Sequence, residues 1–389
     1  MSAPAARLNP KSVATIRVRR FSSSDVPAIE RLNGRLAAAG LLHRVGRESP
    51  CDDKEPSLDT APIIERLYVA ADGDEVRGGV WLKEQLFWSA GRPIRVGWAK
   101  YLVAESLIDA TSAGVPAGLL FSLLRQQPQL MGLGMGGHAG PYARILAAAR
   151  WTSSSLPLFF CLIHPSQVLR HLSYARTTSW RRMLADGLAY SGLAWAGNRI
   201  LAAACAAFRR RPTRGYTWSV VSRFDTWADE LWERCRDSYG FVAVRDSRAL
   251  NALYPEGFRS LTRLRVQQRG RDVGWICARS ISAAGTWFER HFGTLKLGIL
   301  TDNLAQPADA TGVMEAGFRY LVDAGADVIV TYQAHPAWCA AAFNVGFLRG
   351  PSNCAFYRSP AAESLIGTAA SHDRRYHLTC SDGDGPEPV

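Results

Sequence analysis

The stretch MGLGMGGHAGPYARILAAARW occupies positions 131–151. Gly132, Gly134 and Gly137 spell G-x-G-x-x-G, and an apolar pattern with helical spacing follows. A dinucleotide site needs such glycines directly after the first strand of a βαβ unit, with the pyrophosphate on the next helix N-terminus. It also needs an acidic residue about 20 positions later for the ribose hydroxyls. Neither condition is met. The strand entering these glycines is about the fifth of the chain, and no Asp or Glu occurs between Asp109 and Asp186. The glycines are read instead as a strand end where the chain turns closely past a neighbour, leaving backbone room for a ligand.

The pattern around this stretch gives the organisation. ATIRVRRF (14–21) alternates as a strand, and SSSDVPAIERLNGRLAAAG (22–40) carries Ser and Asp caps, a 3–4 apolar spacing and a Gly stop, hence a helix. RLYVAADGDEVRGGVWLKEQLFW (66–88) reads as two strands around a turn at Asp72–Gly73, and the segment from Arg92 to about Ser106 as a third. GVPAGLLFSLLRQQ (114–127) is helical, with Pro116 tolerated in its first turn. SLPLFFCLIHP (155–165) is a buried strand. The second part of the chain repeats this order, from YTWSVVSRFD (216–225) through ADVIVTYQ (326–333) and PAWCAAAFNVGF (336–347) to NCAFYRS (353–359). The expectation is an α/β (α+β) protein of two mixed-sheet domains in tandem, 15–165 and 215–360. A flexible N-terminus (1–14), a helical linker (166–214) and a disordered tail (361–389) complete it.

The linker core, Leu184–Phe208, is apolar but interrupted by Asp186, Asn198 and Arg199, and is followed by Arg209–Arg211. It reads as an interdomain helix, with peripheral contact to an anionic inner-membrane face as the sharper reading. The 389-residue chain carries a formal charge of +12, which favours acidic partners such as phosphorylated cofactors. No nucleic-acid motif accompanies the charge, so nucleic acid is not an expected partner. The eight cysteines are scattered without a C-x-x-C, which argues against a disulfide framework or a zinc site; no metal is expected. The first 20 residues lack an apolar signal core, so the expected compartment is the cytoplasm.

The order strand–helix–three antiparallel strands–helix–strand–helix–strand resembles the GNAT (general N-acetyltransferase) superfamily. IRVRRFSSSDVPAIERL is similar to that fold's opening strand and helix, and GADVIVTYQ…WCAAAFNVGFLR to its closing part. The tandem arrangement also resembles, more distantly, the FemABX aminoacyltransferases. The resemblance implies an acyl-CoA, such as acetyl-CoA, held in a wedge between the fourth and fifth strands. Its pyrophosphate would lie on backbone N–H groups of the loop opening the next helix. In the first half that loop offers Ser112, Ala113, Gly114, Val115 and Gly118, with Gly134 and Gly136 lining the fifth strand. The corresponding loop of the second half carries Asp302 and Asp309, which would repel a pyrophosphate.

N-acyl or O-acyl transfer also needs a proton acceptor and a donor to the leaving thiolate. Glu105, His138 and Tyr142 are the candidates, as base, proton carrier and thiolate protonator. Asp302, Tyr332 and His335, at the ends of the second half's strands, are candidates for acceptor binding. The acceptor class implied is a small molecule, such as a sugar or envelope-glycan precursor. The alternatives are a degenerate, non-catalytic tandem binding protein and a FemABX-like aminoacyl transferase.

Overall fold

A computed structural model describes residues 16–47, 61–171, 215–258, 261–284, 289, 293–370 and 376–383. The expected flexible N-terminus and the linker core with its arginines lie outside the described residues.

The first half runs β1 (Arg17–Arg20), α1 (Val26–Ala38), β2 (Ile63–Asp72), β3 (Glu75–Ser89), β4 (Arg92–Ala104) and α2 (Val115–Gln126). It continues with β5 (Leu130–Gly134), α3 (Ala143–Ala148), β6 (Thr152–Ser155) and β7 (Leu158–Leu162). After α4 (Pro165–His171) and the linker come β8 (Tyr216–Val221), α5 (Thr226–Cys235), β9 (Phe241–Ala243), α6 (Ser247–Leu253), β10 (Leu261–Gln268), β11 (Arg271–Ser282) and β12 (Lys296–Ala305). The chain ends with α7 (Ala310–Asp323), β13 (Val328–Tyr332), α8 (Pro336–Val345), β14 (Leu348–Gly350), β15 (Ala355–Arg358), α9 (Pro360–Ala370) and β16 (Tyr376–His377).

Local chemistry explains the opening elements. The Asp25 carboxylate accepts from the Ser22 amide at 2.8 Å and from Arg19 Nη1 at 2.7 Å, fixing the start of α1. Ala28, Ile29, Leu32 and Leu36 then fall on one helical face and are buried. β2, β3 and β4 form an antiparallel meander, while β5 returns parallel to β4 after the α2 crossover.

The sheets do not divide the chain where the sequence repeat does. One sheet has the order β1-β2-β3-β4-β5-β15-β6, and the other β14-β7-β13-β12-β11-β10-β8. The halves therefore exchange their last strands. β15 lies antiparallel between β5 and β6, with Ala355 opposite Gly134 and Arg358 opposite Met131. β7 lies between β13 and β14, with Val328 opposite Leu162. The chain leaves the first sheet at Leu156–Pro157 and the second at Pro351–Cys354, so each crossing carries a proline, which cannot continue a ladder. β9 adds a further tie by pairing with the outer end of β3, Phe87 opposite Ala243.

The tail departs from expectation. Residues 360–370 form α9, β16 pairs parallel with β9, and Leu378, Thr379, Ser381 and Asp382 are buried. Polar composition pointed to disorder, but partners from both halves meet these polar groups. Arg245, 1% exposed, donates to Asp382 Oδ1 at 2.5 Å and lies 3.0 Å from Asp302 Oδ2. Tyr254 Oη and Thr379 Oγ1 donate to Asp302 at 2.6 and 3.0 Å. From the first sheet, Lys83 Nζ donates to the Asp382 carbonyl at 3.0 Å. Breaking a buried ion cluster by removing one member costs about 3–5 kcal/mol, because the others stay buried and unpaired. Asp382→Ala should lower the unfolding free energy by about that amount in denaturant titration; a loss below roughly 1 kcal/mol would place the tail outside the core.

Burial, and then the neighbouring Lys100, push the Lys83 amine down from 10.5 to about 7. An amine whose folded value is lowered takes up fewer protons than the unfolded chain between those two values. Stability from this group therefore rises with pH across that window. Relative to Lys83→Met, the parent should gain roughly 1.5 kcal/mol of unfolding free energy between pH 7 and 8.5. Parallel pH profiles for the two proteins would contradict this burial.

Candidate active site

The same device opens both sheets. β4 and β5 pair only from Gly97–Ala99 to Leu130–Gly132, although β4 continues along β3 as far as Ala104. A bulge between the Trp81–Lys100 and Gly79–Val103 pairs turns β4 away, and Tyr101 takes φ +49° there. In the second sheet, β12 and β13 part after Leu300–Thr331, with a bulge around Thr301. Each sheet thus has a wedge between its fourth and fifth strands.

The second wedge is filled by the chain itself. Trp338 Nε1 donates to Tyr239 Oη at 3.1 Å, and Tyr239 Oη donates to the Ala305 carbonyl at 2.5 Å. The His377 ring stacks on Tyr239 with centroids 4.9 Å apart, and its Nε2 donates to the Asn303 carbonyl at 2.8 Å. Burial pushes the His377 ring below its ordinary value, favouring the neutral form. The helix end beside this wedge is covered too. Tyr216 Oη donates to Asp309, the N-cap of α7, at 3.0 Å, and a Cβ on Gly312 would fall 2.3 Å from the Tyr216 ring.

The first wedge is different. Ala113 and Gly114 are exposed ahead of α2, whose N-terminus has no side-chain cap. A Cβ on Gly114 would meet nothing within 4 Å, and Gly118 is almost as open. Ser112 is buried at the end of the preceding turn, while Val115 packs fully into the core beneath the helix. The Pro116 ring supplies no N–H.

The opening glycines have a clear role. Gly134, Met135, Gly136 and Gly137 all have positive φ, at +73°, +41°, +81° and +76°. Three glycines adopt this region freely; Met135 does so at a cost of about 1 kcal/mol. The left-handed turn closes with Gly137 N–H donating to the Gly134 carbonyl at 2.6 Å. It folds Met135 back over Gly132, with its Sδ 2.3 Å from where a Cβ on that glycine would lie. Tyr357, on the exchanged strand β15, donates to the Gly137 carbonyl at 2.9 Å, and Asn353 Oδ1 accepts from the His138 amide at 3.2 Å.

The candidate residues fall into separate places. Tyr142 is the N-cap of α3, and its buried hydroxyl lies beside the Ala104 backbone without a well-formed hydrogen bond. Burial pushes it up to about 12, so it stays protonated. His138 is exposed past the turn, its Nε2 2.8 Å from Ser155 Oγ. Glu105 is buried with both oxygens engaged by guanidinium groups, Arg35 Nε at 2.6 Å and Arg77 Nη1 at 2.8 Å. It ties α1, β3 and the end of β4 together, which displaces the expected base role. Asp302 belongs to the buried Arg245 cluster rather than to an acceptor surface. His335 caps α8, its Nδ1 accepting from the Ala337 amide at 3.2 Å. Tyr332 is half-buried at the end of β13, with its hydroxyl pushed up mainly by burial. Only Tyr142 and the glycines converge on the first wedge. Met135 and the Tyr101 bulge were missed from sequence; a lone Met within a glycine run was the available signal.

The sequence matches no protein-family profile and no curated protein. Similar solved structures include a GCN5-related N-acetyltransferase from Anabaena variabilis, at 9% identity and a TM-score of 0.48, over 88% of this chain and 72% of that one. Saccharomyces cerevisiae N-myristoyltransferase with bound myristoyl-CoA gives 10% identity and 0.47, over 91% of this chain and 81% of that one. A tandem GNAT protein from the clavulanic acid biosynthesis pathway gives 13% and 0.46, over 88% and 98%. Among the described residues no helix is long and apolar enough to cross a membrane, and no group of three His, Cys, Asp or Glu is placed to hold a metal ion.

The glycine contacts set positions 114 and 312 apart. Gly312→Val drives its side chain into the Tyr216 ring and should destabilise by about 1–3 kcal/mol. Gly114→Val should leave the melting temperature nearly unchanged. Equal melting temperatures for both variants would contradict this packing.

Proposed function

We propose that the chain is an acyl-CoA-dependent acyltransferase that takes its acyl donor in the wedge of the first half. The observation that carries this reading is the contrast between the wedges. One ends beside an open, uncapped helix N-terminus; the other is packed with Tyr239, Trp338 and His377.

The residues present fit such a donor. The exposed backbone at Gly114 and the first turn of α2 offer N–H groups and the positive end of a helix dipole to a pyrophosphate, while the Ala113 N–H is already taken by the Ala110 carbonyl. Acyl-CoA supplies a thioester carbonyl. The β4 backbone freed from β5 beyond the bulge is the candidate to polarise it. Tyr142, protonated and without a settled partner, is the candidate to return a proton to the leaving thiolate. The second half acts on this reading as a structural partner that lends β15 and the tail to the first.

Titration calorimetry with acetyl-CoA and longer acyl-CoAs tests the reading. One saturable site is expected, weakened at least tenfold in Gly114→Val, whose side chain crowds the phosphates without touching the fold. A folded parent protein that binds no acyl-CoA would refute it.

A further inference from the structure

Met135 stands out because its placement is costly. It is the one residue of the left-handed turn that bears a side chain. The turn is held from three sides: by its own 2.6 Å hydrogen bond, by Tyr357 Oη and by the Asn353 side chain. A Cβ on Gly137 would collide with that Asn353 amide at 2.2 Å, so the turn cannot shift sideways without moving the loop before β15. The result is a half-buried thioether laid over Gly132. That glycine is the last β5 residue paired with β4 before the strands part. Met135 packs there against the apolar cluster that holds Ala104, Leu119 and Tyr142. A flexible, polarizable side chain thus sits where β4 and β5 part, packed on the cluster that also holds Tyr142.

We propose that Met135 is the residue that closes the first wedge and sets how long an acyl group it admits, an inference that rests on the acyl-CoA reading above. The Cγ, Sδ and Cε atoms occupy space on the helix side of the sheet that an acyl chain entering between β4 and β5 has to share. Gly132 provides the complementary absence: any Cβ there would exclude the Met135 sulfur. Trimming Met135 frees room for roughly two to three carbons, each newly buried methylene improving affinity about fourfold.

The test is a calorimetric series of free CoA and acyl-CoAs from acetyl upward, run on the parent, Met135→Ala, Met135→Gly and Met135→Leu. Met135→Gly removes the side chain and relieves the left-handed strain, so it guards against a misfolded Met135→Ala. The expected result is a preferred chain roughly two to three carbons longer in Met135→Ala and Met135→Gly. Met135→Leu should keep the parent profile, and affinity for unacylated CoA should be the same throughout. If the parent binds acyl-CoA and all variants share its chain-length profile, the inference falls and the acyl-CoA reading stands. If no protein in the series binds any CoA species, both fall together.

Discussion

Four residues, Ala355–Arg358, join the two halves of this molecule more firmly than any surface contact would. As strand β15 they pair with β5 on one side and β6 on the other, inside a sheet otherwise built largely from the first half. β7 repays the exchange in the second sheet. A sheet interior has no tolerance for a missing strand, because every exposed N–H and C=O on both neighbours would lose its partner. Neither half can therefore complete its sheet alone. The exchange also reaches the candidate site. Tyr357 holds the left-handed turn that carries Met135, so the second half of the chain shapes a wedge belonging to the first.

The buried polar cluster follows from the same constraint. Strand exchange brings β3, β12 and the C-terminal segment together, and the polar groups of that junction are cut off from water. Arg245 answers two carboxylates, Tyr254 and Thr379 donate to Asp302, and Lys83 reaches tail carbonyls. Such a cluster adds little net stability over an apolar one, but removing one member leaves the others buried and unpaired. It also closes the second wedge, since His377 and Asp302 occupy the ground where β12 and β13 part. The second wedge is thereby filled, and the first is left with an open helix N-terminus and a thioether where its strands part.

Much of this architecture was legible in the sequence. The two repeats of element order, the meander, the Gly73 turn and the helix starting at Asp25 all follow from local pattern and capping. What local pattern could not carry was partner choice. LPLFFCL and CAFYR read as buried strands in either sheet, because an apolar run does not encode which edge it meets. Asp302 and Glu105 look like exposed strand-end carboxylates until arginines distant in sequence are seen to face them, and the tail looks disordered from its polar composition until partners from both halves are seen to bury it. Met135 escaped notice because positive φ is a property of the turn and not of the residue.

The central claim, that the two sheets form one unit through exchanged strands, is tested most directly by native-state hydrogen exchange across a denaturant series, read by mass spectrometry. The account predicts that amides of β7 and β15 open together with those of β5 and β13, at a single free energy equal to that of global unfolding. Two separate openings, with β7 following the first half and β15 the second, would contradict it.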